Sequence, residues 1–140
     1  MSAAQQAELI EKQKSLQEQE DKIRRLKHSL GNMQGQQMAL EKQKKRCQIT
    51  QTALTPLKED HPVYKSIGRM FVRRTVPALM EEQKSQEQTS VTESSRLSVE
   101  IERISGVLQD EDRQFNQGRQ ELIALLEAFQ QANAANAQLR

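Results

Sequence analysis

VYKSIGRMFVRR, residues 63–74, interrupts a chain otherwise rich in Gln, Glu, Lys and Leu. The stretch is β-branched and aromatic, and Gly68 breaks it once. Pro56 and Pro62 precede it and Pro77 follows it. Prolines end the first helical run and bias the residues before them toward extended backbone. Between Val63 and Thr75 there is room for two short strands and one tight turn. Gly68 is the residue there that adopts positive φ freely, which predicts a two-residue turn at Gly68 and Arg69. Ile67 then pairs with Met70, Ser66 with Phe71 and Lys65 with Val72. One face carries Val63, Ile67, Met70 and Val72, and the other Tyr64 and Phe71. Apolar groups on both faces require cover from more than one side. A lone two-stranded hairpin is marginal in water and leaves two open edges. The chain offers no third strand, so this insert reads as an element that assembles with other chains.

Outward from the insert, both flanks read as helix. From about Ala3 to Thr52 there is no proline, and good helix formers dominate. Leu9, Leu16, Ile23 and Leu30 recur every seven residues, as do Leu26, Met33, Leu40 and Cys47. These are the a and d positions of one heptad frame. The second flank repeats the scheme with Ile101, Leu108, Phe115, Leu122 and Phe129, and with Leu97, Ile104 and Leu125, a series that Glu111 and Gly118 interrupt. Each arm would extend roughly 75–85 Å at 1.5 Å per residue. Folding the chain at the insert, so that position i faces about 130 − i, sets Leu9 near Leu122, Leu16 near Phe115 and Ile23 near Leu108. The expected fold is mainly α: a long antiparallel two-helix coiled coil joined by one β-hairpin. A parallel homodimer through either arm is the competing arrangement. The expected organisation is a single domain over 1–140, with arms at 3–54 and 77–133, a linker at 55–76 and a tail at 134–140. Near the insert the seam is polar, with Gln37, Lys44, Glu87, Ser90 and Ser94, so this half is expected either to flex or to be a solvated stretch held by its ends.

Composition agrees with a narrow seam rather than a globular core. Hydrophobic residues make up 35% and aromatics 3%, mean hydropathy is −0.84, and there is no Trp. Basic and acidic residues number 21 and 19, a net charge of +2 that gives no strong pull toward nucleic acid or membrane. The densest basic cluster, Lys42, Lys44, Lys45 and Arg46, reads as a solvated face or one that meets an acidic neighbouring subunit, with nucleic acid as the lesser alternative. Prolines follow this cluster where a basic zipper would continue into heptads. Cys47 is the single cysteine, sits at a d position and reads as a small buried residue. The polar first 20 residues exclude a signal peptide, and no apolar run reaches membrane length, so the expected location is cytoplasmic. His28 and His61 lack partners at metal-ligand spacing, and no phosphate-binding glycine motif occurs. No enzyme activity and no cofactor are expected.

Two arms joined by a hairpin carrying Tyr64, Gly68, Arg69, Met70, Phe71 and Val72 resemble a β-class prefoldin subunit. An α-class subunit would need a longer linker with two hairpins. The resemblance implies a heterohexamer of two α-class and four β-class subunits, so the partners here would be two α-class and three other β-class subunits. It implies that Val63, Tyr64, Ile67, Gly68, Met70, Phe71 and Val72 help build a shared β platform. It also implies that the arm ends hold unfolded clients, such as actin and tubulin, for a group II chaperonin without ATP. In this sequence Leu9, Ile10, Leu122, Ile123, Leu125, Leu126 and Phe129 form the richest apolar cluster at that end. Ile123 and Leu126 lie off the a/d seam, and they either touch client, or widen the local core or contact a neighbouring arm. The alternative function is a non-chaperone coiled-coil scaffold or tether, which expects a mere loop in place of the hairpin.

Overall fold

Thr75 marks where the insert gives way to the second helix. Its hydroxyl accepts the Ala78 N–H at 3.2 Å, and its carbonyl accepts that of Leu79 at 3.1 Å. It is therefore an N-cap, with Pro77 in the first turn where a missing N–H costs nothing. The computed structural model describes residues 2–139. Their order is α1 (Ala3–Leu54), β1 (Val63–Ile67), β2 (Met70–Arg74) and α2 (Val76–Leu139). Ser2 and Gln5 cap α1 reciprocally, each backbone N–H donating to the other's side chain at 2.9 and 3.2 Å. At the other end α2 continues through 134–139, where a tail was expected. That stretch is Ala, Asn, Gln and Leu with no glycine or proline to stop a helix.

The chain divides into two units: the residues up to Gly31 with those from Glu102 onward, and Asn32–Ile101. In the first unit the helices lie side by side and antiparallel. Lys12 bonds Glu121 at 2.6 Å, Gln19 bonds Gln114 at 3.4 Å and Lys22 bonds Glu111 at 2.8 Å. The numbers of each pair total 133, so the register lies slightly off the one the heptads suggested. Leu16 accordingly packs against Gly118: a Cβ built on Gly118 would lie 2.7 Å from Leu16 Cδ2. The glycine that interrupts the second heptad series is thus the socket for a leucine of the first. Glu111, the other interruption, turns its carboxylate to Lys22 and Gln19. Leu9, Ile23 and Ile104 are the buried apolar residues of this unit.

The second unit holds the hairpin. β1 and β2 pair antiparallel with Ile67 opposite Met70 and Val63 opposite Arg74, the register read from the turn. Gly68 has φ +60° and no other described residue has positive φ, which makes the turn a type II′ with glycine at its first central position. Beneath the strands, Leu54, Val76 and Leu79 are buried and pack with Leu57, Val63 and Met80. Above this small core, Cys47 and Leu97 are buried. Ser90 is buried with them at 2% exposure. The polar seam here is built from side-chain bonds. Gln37 donates to the Ser94 carbonyl and the Ser98 hydroxyl, while Gln48 and Gln51 both donate to Glu87.

Candidate functional site

Two surfaces carry the residues singled out in the sequence, one in each unit. On the hairpin, Val63 is half-buried in the core at the strand base. Beyond it the strands lose their cover: Tyr64 is 60% exposed, Met70 65% and Phe71 73%. Ile67 and Val72 are exposed as well. Apolar side chains thus stand open on both faces of a sheet of two strands. Leu54 and Leu79 floor an open groove of about 690 Å³, with Tyr64 and Phe71 at its sides. Each strand has one edge whose N–H and C=O groups no other strand pairs among the described residues. An ion pair between Lys65 and Glu82 clamps the hairpin to α2. The hydrogen bond from Lys65 holds the Glu82 carboxyl below its ordinary value against the opposing effect of desolvation.

At the apolar end of the other unit, the predicted cluster separates into two groups. Leu9 is buried at 7% exposure, and Leu122, Leu125, Leu126 and Phe129 are half-buried. These residues form the seam and its flanks, Leu126 included although it lies off the a/d frame. Ile10 and Ile123 stand out at 64% and 52% exposure. Their numbers also total 133, which puts them at the same level of the unit. Lys12 and Glu121 bridge the helices beside them. Lys12 lowers the Glu121 pKa by its hydrogen bond and then by its charge. A turn away, Arg119 lies 5.9 Å from the centroid of the Phe115 ring.

Sequence reasoning missed the Lys65–Glu82 clamp, because nothing in the spacing links a strand lysine to a carboxylate 17 residues on. It also missed the pairing of Leu16 with Gly118, although a glycine at a d position is itself a sign of a large residue opposite. Among the described residues no group of three or more His, Cys, Asp or Glu is placed to hold a metal. No helix among them is long and apolar enough to cross a membrane.

The sequence profile of the family described as "Prefoldin subunit" matches residues 17–129. No curated protein matches the chain significantly in sequence. Among solved structures, the crystal structure of the prefoldin beta subunit from Thermococcus strain KS-1 matches with a TM-score of 0.65 at 16% identity. The match covers 74% of this chain and 90% of that one. At that identity the likeness is one of fold: two helices with a hairpin between them.

Proposed function

This chain belongs to the prefoldin subunit family, and we propose on that premise that it is a β-class subunit of a heterohexameric co-chaperone, most like eukaryotic prefoldin subunit 1. The observation that carries the reading is the hairpin. Its Tyr64, Met70 and Phe71 are more than half exposed, and among the described residues its two strands have no third to pair with. Exposed aromatic and aliphatic groups on two faces and two open edges are what a shared β platform would cover. Two α-class and three other β-class subunits would supply that cover. The scaffold alternative expects a loop here, and the paired strands count against it.

The chaperone role belongs to the other unit. Ile10 and Ile123 offer exposed apolar surface beside half-buried Leu122, Leu125, Leu126 and Phe129, with buried Leu9 as support. Such a surface takes non-native chains through their exposed apolar side chains without reading sequence. Actin and tubulin would be held there and passed to the cytoplasmic group II chaperonin. Holding by apolar contact needs no ATP. Two measurements test the proposal. The native mass of the complex isolated with this chain should be that of six small subunits, and a stable monomer or homodimer would refute it. Replacing Ile10 and Ile123 by Ser should weaken suppression of aggregation of denatured actin while that mass is unchanged. Leu126→Ser added to this pair should weaken it further, and undiminished suppression would remove these residues from the client surface.

A further inference from the structure

Within the unit Asn32–Ile101, the face of α1 turned away from its seam mixes exposed apolar side chains with exposed cations. Met38, Lys42, Lys45 and Ile49 follow one another at spacings of four, three and four residues, which draws one line along the helix. That line lies roughly half a turn around from buried Cys47. Met38 is 65% exposed and Ile49 69%. Ile49 borders an open recess of about 510 Å³ shared with Lys45, Gln48, Thr52 and Ala53. Lys42, Lys45 and Arg46 are exposed, and among the described residues no carboxylate pairs with any of them. Three arginines elsewhere on the helices find local partners: Arg24 with Glu20 and Asp21, Arg96 with Glu93, and Arg113 with Asp110. Residues 32–101 also carry eleven Lys and Arg against eight Asp and Glu, an excess of three in a chain whose net charge is +2.

We propose that this stripe of α1 is a docking surface for an acidic amphipathic helix of a partner protein. Charge complementarity selects the partner, since carboxylates one turn apart would meet Lys42, Lys45 and Arg46. Two apolar side chains would cover Met38 and enter the recess at Ile49. These anchors are eleven residues apart, roughly 16 Å along the axis, so about three turns of partner helix span them. A nucleic acid fits less well. The two exposed apolar groups would gain nothing from phosphates, and no aromatic residue lies in 38–53 to stack on a base. The proposal stands whether or not the chain serves as a hexamer subunit.

The test uses the full-length chain in the complex with which it is isolated. The probe is a fluorescein-labelled synthetic helix with two leucines eleven residues apart and glutamates between them. Binding should weaken as salt rises and by about ten-fold or more in the triple variant Lys42→Glu, Lys45→Glu, Arg46→Glu. Met38→Ser with Ile49→Ser should weaken it at constant charge. No binding, binding indifferent to the charge reversal, or equal binding of a helix with lysines for glutamates would overturn the proposal. Tighter binding of a labelled single-stranded RNA at the same lysines would also overturn it, in favour of nucleic acid. So would protection of Lys42 and Lys45 from acetylation before any probe is added, because a fellow subunit would then cover the stripe.

Discussion

Ser90 occupies a seam position of α2 with 2% exposure, and its hydroxyl meets no hydrogen-bond partner among the described residues. An unpaired buried hydroxyl costs roughly 1–3 kcal/mol of desolvation, and serine is a poorer helix former than alanine. Ser90→Ala should therefore stabilise the protein by about 1 kcal/mol, read as a higher midpoint in urea with the slope unchanged. Leu54 provides the opposite case, being buried at 7% exposure where both helices and the hairpin base meet. Leu54→Ala should cost about 2–5 kcal/mol by lost burial and the cavity left behind, which the same urea titration would read. The heptads placed Ser90 on the seam, but they could not say that its hydroxyl goes unmet. Cys47 was legible as a small buried residue, and at 2% exposure it is one. Gly118 was legible as an interruption of the series. Its use as a socket for Leu16 depends on a register that heptads define only to within a few residues.

Carboxylates on α2 join it to α1 and to the hairpin. Glu121 takes Lys12, Glu111 takes Lys22 and Gln19, Glu87 takes Gln48 and Gln51, and Glu82 takes Lys65. In each, hydrogen bonds to the ionised form hold the pKa below its ordinary 4.5. A carboxyl depressed on folding stabilises the folded form above its unfolded pKa. That contribution is lost as pH falls through the folded value. The helix pairing should therefore hold near neutral pH and loosen progressively below about pH 4.5. Thermal midpoints taken between pH 7 and pH 3 should drop in the acid range, and less so when Glu82, Glu87, Glu111 and Glu121 are all Gln. Equal acid sensitivity in that variant would place the titrating groups elsewhere. Element type was readable throughout, because heptads sustained over many turns admit one secondary structure. The end of α2 was less so, since 134–139 lacks a stop signal and equally lacks an apolar stripe to announce a helix.

At the level of the whole molecule, the hairpin carries a cluster of apolar side chains that the chain leaves uncovered on both faces of the sheet. Tyr64→Ser, Met70→Ser and Phe71→Ser together should prevent recovery of a six-subunit complex while helix content by circular dichroism stays unchanged, because these side chains lie outside the buried core. Loss of helix content along with assembly would show instead that the hairpin is needed to fold the arms. The sequence by itself determined two helical arms, the chain reversal at VYKSIGRMFVRR, the Gly68–Arg69 turn and the strand register. It could do so because heptad period, proline placement and glycine φ are local constraints. Tertiary structure alone decided which apolar residues are covered. Leu9 and Ile10 are neighbours in sequence, yet one is 7% exposed and the other 64%. Leu126 lies off the seam and is still half-buried. It also decided that Lys65 reaches Glu82 while Lys42, Lys45 and Arg46 reach no carboxylate among the described residues. Burial and charge pairing depend on what a second segment places opposite each side chain, and a periodicity read along one segment does not contain that information.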